Sequence, residues 1–428
     1  MSSLNRPIRT LFITKLPYPL IGGEHLRSWQ NINILSKFGP VHVFSIFRYG
    51  YDESQIDTVE TWRSYNVNQQ PFPLSKLEPI LWWIQKKGLW DYWPFRYSAA
   101  RQLDDMLTAL KPDLVVIEEL WLYPYLAIAQ RHGCRVIFDH HNVEALLFEA
   151  TKCQGNGLRG WLRSRLHLPQ IKADEAEFMR QADQTWVCSD TDRKRLARLY
   201  GQPPENDKPT HRYVVPNAIN LDDYAQIRAG QCDYPANLPS DWATHPRTLL
   251  YLGNFGFVPN AEAAEILVTQ IYPRIKNIYP DVRLLMVGRD PTPLMTDAFE
   301  KNGNITVTGR VSNIMPYLAV GSVMVVPLQK GSGTRFKVLE AFAAGCPVVS
   351  TAKGVEGLAV QDGQHLLIRE GAEGIANGVM ELWNGHTQAQ SLTAAAYELV
   401  RAEYSWEASG RAIKKALSKL FEQEWESG

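Results

Sequence analysis

One stretch in the last third of the chain decides the fold: Gly331-Ser332-Gly333-Thr334-Arg335-Phe336-Lys337-Val338-Leu339-Glu340. It continues as Ala341-Phe342-Ala343-Ala344-Gly345-Cys346-Pro347-Val348-Val349-Ser350. A glycine-rich loop therefore leads into an apolar helix, and a glycine separates that helix from a β-branched run. This order is typical of one repeat of a parallel sheet covered by helices. The stretch predicts an α/β fold.

The same alternation extends outward from this stretch. Short β-branched runs alternate with amphipathic stretches over the first 215 residues, and the pattern restarts near residue 248. The predicted strands are residues 8–14, 41–47, 114–117, 135–138, 185–188, 213–215, 248–252, 283–287, 305–308, 323–326 and 348–350. We therefore predict two Rossmann-like domains over residues 1–219 and 247–400, a proline-containing linker over 220–246, and a helical segment over 401–428.

Length and composition agree with two soluble domains and exclude several classes of function. The 428 residues exceed the roughly 250–300 at which a single core stops growing. The 45 basic and 45 acidic residues balance, so no global field favours nucleic acid or anionic lipid. Five scattered cysteines and a polar N-terminus predict a cytoplasmic protein without a disulfide framework, zinc site or signal peptide.

The chemistry of the deciding stretch predicts a phosphate site. Gly331 and Gly333 allow a close backbone approach, and the helix beginning near Thr334 offers free N–H groups and the positive end of its dipole. Arg335 and Lys337 add full positive charge. Glu340 lies on the same helix face as Lys337, where its carboxylate suits ribose hydroxyls. An ordinary surface network of these three charged residues is the alternative interpretation.

The stretch also resembles the family-4 group of retaining glycosyltransferases with the GT-B fold, often described as "glycosyl transferases group 1". The resemblance covers nearly the whole chain and is strongest over residues 248–368. That family carries two glutamates eight positions apart, and Glu340 matches the second, which binds the donor ribose. Ser332 stands where the first, a contact of the transferred sugar, is expected. The resemblance implies two Rossmann-like domains facing across a cleft, with the C-terminal helix returning to the first.

Weaker matches follow in the order of that family. Pro17-Tyr18-Pro19-Leu20-Ile21-Gly22-Gly23 resembles its first glycine loop, and Asp139-His140-His141-Asn142-Val143-Glu144 carries the match to its active-site histidine, His141. The resemblance implies catalytic roles for His141, Arg335 and Lys337. The donor-binding residues it implies are Gly22, Gly23, Asn142, Asn217, Gly253, Asn254, Val311, Gly331, Ser332, Gly333, Thr334 and Glu340. The family usually has a cation in the loop after Asn254, whereas residues 255–260 contain none.

The implied activity is metal-independent transfer of a sugar from a nucleotide-sugar donor to a glycan, a lipid-linked acceptor or a small molecule. No cofactor is expected, because no Asp-x-Asp motif suited to magnesium is present. Two alternatives stay open. A nucleotide-sugar 2-epimerase shares the architecture, and a non-catalytic nucleotide-sugar-binding module would use the same residues.

An aromatic segment within residues 48–100 predicts an insertion in the first domain, because its five tryptophans follow no strand pattern. Residues 81–97 place several of these rings beside Lys86, Lys87 and Arg96. Aromatic rings next to cations favour a membrane headgroup region, which predicts peripheral contact with the inner face of a membrane or with a lipid-linked acceptor. The alternative is that the rings pack against the domain core.

Overall fold

The computed structural model describes residues 6–15, 25–47, 59–66, 95–153, 161, 163–201, 211–242, 244–331 and 335–422. The chain divides into two compact units. The first holds the described residues up to Pro216 together with those from Ser409 onward, and the second holds Asn217–Ala408. Among the described helices, none combines the length and the apolar character needed to cross a membrane.

The first unit is built on a seven-stranded parallel sheet with the order β3-β2-β1-β4-β5-β6-β7. Its strands are β1 Thr10–Thr14, β2 Val41–Phe47, β3 Thr61–Asn66, β4 Leu114–Glu118, β5 Arg135–His140, β6 Gln184–Val187 and β7 His211–Val214. The central strands are nearly continuous apolar runs because helices cover both faces of the sheet. In β4, for example, every residue is buried.

The described helices of this unit are α1 Leu26–Ser36, α2 Tyr97–Leu110, α3 Leu126–Arg131, α4 Glu144–Lys152, α5 Leu168–Gln181 and α6 Asp190–Tyr200. Helix α6 begins where it does because the Ser189 side chain accepts a hydrogen bond from the Asp192 N–H. A 3₁₀ turn, Leu120–Tyr125, links β4 to α3. These helices place their apolar faces against the sheet and leave the carboxyl ends of the strands for polar residues.

The second unit carries a six-stranded parallel sheet with the order β10-β9-β8-β11-β12-β13. Its strands are β8 Thr248–Leu252, β9 Arg283–Val287, β10 Ile305–Val307, β11 Val323–Val326, β12 Val348–Ser350 and β13 Leu367–Ile368. The Gly288 position requires glycine, since an added Cβ would lie 1.6 Å from the Gly253 carbonyl oxygen. Backbone segments after β8 and β9 therefore touch each other.

The described helices of the second unit are α7 Ala225–Arg228, α8 Val258–Ile266, α9 Tyr272–Lys276, α10 Pro293–Lys301, α11 Met315–Val320, α12 Phe336–Ala344, α13 Gly371–Asn384 and α14 His386–Glu403. Helix α12 ends at Gly345, whose φ of 77° is left-handed and favours glycine. The last helix, α15 Trp406–Glu422, begins in this unit and continues in the first.

The α/β prediction with two parallel sheets is confirmed, and the strands predicted at 41–47, 248–252, 283–287, 323–326 and 348–350 have these bounds in the structure. The predicted C-terminal helix also joins the first unit: Gln184 Nε2 donates to the Ala416 carbonyl oxygen at 2.7 Å. Ile413, Ala416 and Leu417 on this helix are buried. The apolar face of α15 is therefore buried in the first unit.

Two boundaries differ from the prediction. Residues 61–66 form the edge strand β3 rather than part of a strandless insertion, because alternate side chains there are sheltered and exposed. The predicted linker over 220–246 is part of the second unit, where Tyr224, Leu238 and Trp242 are buried in the core. Prolines in this segment interrupt its periodicity without keeping its apolar side chains out of the core. Of the segment predicted to contact a membrane, residues 81–97, residues 81–94 lie outside the described part of the chain.

Candidate functional site

The predicted phosphate site lies where β11 leads into α12 of the second unit. Gly331 follows the strand with a left-handed φ of 112°, and a Cβ there would lie 3.1 Å from Arg335 Nη1. Arg335 stands directly before the helix, is 8% exposed, and donates from Nη2 to the Lys353 carbonyl oxygen at 3.4 Å. Its guanidinium thus lies near the positive end of α12. Ser332, Gly333 and Thr334 lie outside the described residues.

Lys337 lies in the first turn of α12, half-buried. Its Nζ donates to Asn260 Oδ1 at 2.9 Å and lies 4.5 Å from the centre of the Tyr251 ring. Burial, helped by the neighbouring charge of Arg335, lowers the pKa of Lys337 to about 7. An anion bound here would stabilise the charged form of Lys337.

Glu340 lies one turn further along α12 and is 7% exposed. Burial raises the pKa of its carboxyl group to about 7, although Lys337 acts in the opposite direction. Lys337 donates to Asn260, and among the described ion pairs none joins Lys337 to Glu340. The alternative of a solvated surface network is therefore wrong, because Arg335 and Glu340 are buried and Lys337 turns to Asn260.

An amide from the first turn of α8, the helix that follows β8, completes this site. Asn260 accepts from Lys337 through Oδ1 and donates from Nδ2 to the Asn254 carbonyl oxygen at 3.0 Å. Asn254 in turn accepts from the Gly256 N–H at 3.1 Å through its side chain. A larger residue at position 253 would require a small shift of Asn260, since its Cβ would lie 3.3 Å from Asn260 Cγ. The structure thus brings Gly253, Asn254 and Lys337 together around Asn260.

Asn260 was missed by the sequence reasoning, which considered its loop only for the absence of a cation. The available signal was the amide side chain of Asn260 in the segment where the family usually has a cation. The amide fixes the direction of the Lys337 ammonium group without adding charge.

In the first unit, polar residues gather at the carboxyl ends of β4 and β5. His141, next after β5, lies 3.2 Å through Nε2 from Glu118 Oε1 and 3.5 Å from Asp139 Oδ2. Its Nδ1 lies 3.5 Å from Glu119 Oε1. Although burial acts to lower the pKa of His141, these three carboxylates raise it well above its ordinary value. The three carboxylates therefore favour the charged imidazolium form of the ring.

Three cations face the three carboxylates of this cluster. Arg27 forms a buried ion pair with Asp139 and donates from Nη1 to the Val215 carbonyl oxygen at 2.8 Å. Lys15 pairs with Glu119. The third carboxylate, Glu118, is left for the imidazolium of His141. Burying carboxylates costs little only when each has a cation or donors, which this arrangement supplies.

The described residues contain one group with the chemistry of metal ligands, namely Glu118, Asp139 and His141, whose ligand atoms lie within 4.8 Å of one another. Both oxygens of Asp139 already accept hydrogen bonds, one from Arg27 and the other from Asn31 Nδ2 at 2.7 Å. The protonated His141 supplies the remaining positive charge. The group therefore fits a histidine cation better than a metal ion.

The other predicted residues are scattered over both units. Asn142 follows His141 at the end of β5, and Asn217 is buried shortly after β7 at the start of the second unit. Val311 packs against the core of the second unit near the end of β10. Gly22 and Gly23 lie outside the described residues. His140, next to His141, turns inward instead and its Nε2 lies 2.8 Å from Glu175 Oε1.

Two family models match the chain. The model described as "Glycosyl transferases group 1" matches residues 246–385, and the model described as "Glycosyltransferase Family 4" matches residues 70–223. Together they span more than half of the sequence. No match was found among curated protein sequences.

Several solved structures share the fold along the full chain. Sucrose-phosphate synthase from Thermosynechococcus elongatus has a TM-score of 0.69 at 18% identity, covering 98% of this chain and 100% of its own. The HepE protein of Anabaena, solved with UDP-glucose, has a TM-score of 0.67 at 11% identity, covering 96% and 100%. A glycosyltransferase from Rickettsia africae has a TM-score of 0.61 at 13% identity, covering 97% and 98%. At such identities the likeness establishes the GT-B fold alone.

Proposed function

Because this chain belongs to the group-1 glycosyltransferases of family 4, we propose that it is a retaining, metal-independent hexosyltransferase that uses a nucleotide-sugar donor. Its acceptor is a glycan, a lipid-linked sugar or a small hydroxyl compound. The proposal assigns donor binding to the second unit, around α12, and sugar binding to the first unit, around His141.

One observation carries the proposal: two cations and a carboxylate are held in partly or fully buried positions at the start of α12. Arg335 and Lys337 stand next to each other, and their mutual repulsion helps to lower the pKa of Lys337. A diphosphate supplies the negative charge that such a pair favours, and the free N–H groups at the helix start add to the attraction.

Glu340 supports a ribonucleotide rather than a simple phosphate as the ligand. Its carboxylate lies one helical turn from Lys337, which places an acceptor for ribose hydroxyls near the proposed diphosphate position. The solved complexes of HepE contain UDP or UDP-glucose, which supports a nucleotide sugar as the donor class for a protein of the same fold.

The residues suggest how the reaction is assisted. The bond between the sugar C1 and the diphosphate oxygen breaks while the acceptor oxygen bonds to C1 on the same face, and the departing phosphate takes the acceptor's proton. Arg335, Lys337 and the N-terminus of α12 stabilise the negative charge that grows on the leaving diphosphate. His141, as an imidazolium, donates a hydrogen bond to the sugar.

The test is nucleotide binding by calorimetry to Arg335→Ala/Lys337→Ala, with UDP, GDP and ADP as ligands. We expect a loss of affinity of about tenfold or more, since one charged hydrogen bond is worth about 1.5–3 kcal/mol. Lys301→Ala is the matched control, because Lys301 is an exposed lysine of the same unit paired only with Asp297. Unchanged affinity in the double variant would remove the diphosphate assignment.

Product analysis separates the transferase from the two alternatives. Incubation with the nucleotide sugar that binds most tightly, together with a panel of saccharide acceptors, should give a new glycosidic bond of unchanged anomeric configuration. Inversion at C2 of the donor sugar would indicate the epimerase. Tight binding without transfer or hydrolysis would indicate the non-catalytic module.

A further inference from the structure

The first sheet has a topological switch point between β1 and β4. The chain proceeds outward from β1 through β2 and β3 on one side and from β4 to β7 on the other. Open parallel sheets bind ligands in the crevice outside the carboxyl ends of the two strands at such a point. Lys15 directly follows β1, and Glu119 directly follows β4. These two residues therefore flank the position where a ligand is expected.

Glu119 has a backbone conformation that glycine favours. Its φ is 59° and its ψ is 151°, a combination found almost exclusively at glycine. The strained position is held from both sides: the Glu119 N–H donates to the Asp139 carbonyl oxygen at 3.0 Å, and its carboxylate pairs with Lys15. A glycine here would relieve the strain, so the carboxylate itself must be what the position requires.

The exposed edge of the cluster is made of one acceptor and two donors. The side chains of Glu119 and Lys15 are 23% and 24% exposed and that of His141 is 11% exposed, whereas Glu118 and Asp139 are almost fully buried. Behind this edge, Glu118 Oε1 and His141 Nε2 are buried 3.2 Å apart without a hydrogen bond of good geometry. The side chains that a ligand can reach at this edge are therefore those of Glu119, Lys15 and, in part, His141.

We propose that Glu119 binds a hydroxyl group of the sugar substrate at this switch point, with Lys15 and His141 donating to neighbouring oxygens. This assignment rests on the proposed function and adds a residue that determines sugar specificity. A carboxylate flanked by two donors matches adjacent hydroxyls of a neutral sugar, each of which both donates and accepts. The negative charge of Glu119 disfavours a phosphate at the same position.

The experiment compares Glu119→Gly, Glu119→Gln and the control Lys111→Gly. Lys111 also has a positive φ, 44°, but it ends helix α2 and takes no part in the cluster. We measure thermal unfolding, hydrolysis of the nucleotide sugar that wild type uses best, and transfer to a panel of free mono- and disaccharides. Because glycine relieves backbone strain, it should raise the Tm by about 3 °C at position 111 relative to wild type. At position 119 we expect a similar rise relative to Glu119→Gln, which loses the same ion pair with Lys15.

Glu119→Gly should lose activity, whereas Lys111→Gly should keep the activity of wild type. A fall of about thirtyfold or more in kcat/KM for hydrolysis assigns the hydroxyl to the transferred sugar. Retained hydrolysis, with the KM for the saccharide acceptor raised about tenfold or more, assigns it to the acceptor. Glu119→Gln keeps an acceptor oxygen and should recover part of the loss in either case.

Two results would overturn the assignment of Glu119 alone: a glycine variant with wild-type hydrolysis and transfer, or one whose Tm falls several degrees below that of Glu119→Gln. The second result would mean that the carboxylate is needed for folding. A wild-type protein without any turnover would instead overturn the proposed function, and this assignment with it.

Discussion

The charged clusters of the two units are built on opposite principles. In the first unit, the carboxylates of Glu118, Glu119 and Asp139 face three cations, namely Arg27, Lys15 and His141, so the folded protein supplies its own neutralisation. In the second unit, Arg335 and Lys337 stand side by side, and burial brings the pKa of Lys337 down to about 7. The first cluster is balanced by the protein itself, whereas the second is balanced best by an anionic ligand.

The difference teaches how to separate stability from binding in this protein. A balanced buried cluster contributes to folding, and removing one member leaves its partner without compensation. An unbalanced cluster opposes folding slightly and contributes to binding instead. Substitutions in the two units should therefore change stability in opposite directions, which the following experiments test.

The largest effect is expected from Asp139→Ala, which leaves the guanidinium of Arg27 buried without its carboxylate. Removing one partner of a buried ion pair costs about 3–5 kcal/mol in the free energy of unfolding. Urea denaturation measures the loss. Asp297→Ala, which breaks an exposed pair with Lys301, should change stability by less than about 1 kcal/mol. Equal effects at the two positions would contradict a balanced cluster that supports the fold.

A smaller effect is expected in the pH dependence of nucleotide binding. Since the pKa of Lys337 is about 7 in the free protein, most molecules lose this charge as the pH rises above 7. Affinity for a nucleoside diphosphate should then fall by about tenfold per pH unit, or about 1.4 kcal/mol, between pH 7 and 9. Calorimetry across this range measures the slope. Lys337→Met should flatten it, and a wild-type profile that is already flat would be evidence against a role for Lys337.

A stability gain is expected from Lys337→Met. The folded-state pKa of about 7 lies below the ordinary lysine value of 10.5, so the charged form opposes folding fully below pH 7 and progressively less up to pH 10.5. Replacement by an apolar side chain should add about 1–2 kcal/mol to the free energy of unfolding at pH 6. The gain should disappear near pH 10.5. Destabilisation at pH 6 would show that the contacts with Tyr251 and Asn260 outweigh the cost of burying the charge.

The smallest effect, none, is expected from removing divalent metal ions. Arg27 and Asn31 already occupy both oxygens of Asp139, and Arg335 with Lys337 supplies the positive charge for the diphosphate. Transfer rates before and after treatment with EDTA should agree. Activity that disappears with EDTA and returns with magnesium would contradict the metal-independent mechanism.

The fold could be predicted largely from local patterns. Buried parallel strands such as β8 and β9 are uninterrupted apolar runs, and their bounds were predicted correctly. Strand β3 was missed because only alternate side chains of this edge strand are sheltered, so it is not an uninterrupted apolar run. Trp62, which lies in β3, was grouped with the tryptophans of the neighbouring aromatic segment. Strand β13, Leu367–Ile368, is too short to produce a periodic signal.

The candidate site could be predicted only where its residues are close in sequence. Arg335, Lys337 and Glu340 lie within two turns of one helix, so their spacing was informative. The carboxylates of Glu118 and Glu119 meet His141 only because β4 and β5 are neighbours in the sheet. The backbone conformation of Glu119 could not be predicted from the sequence, because this conformation is favoured by glycine and not by glutamate.

The position of helix α15 has a consequence for synthesis on the ribosome. The strands of the first unit are translated before the second unit, but Ile413, Ala416 and Leu417, which become buried in the first unit, are translated after the second. Gln184 also receives its hydrogen-bond acceptor, the Ala416 carbonyl, only then. The first unit is therefore completed only after the second has been translated, and until then it exposes an apolar surface on which chaperones can act.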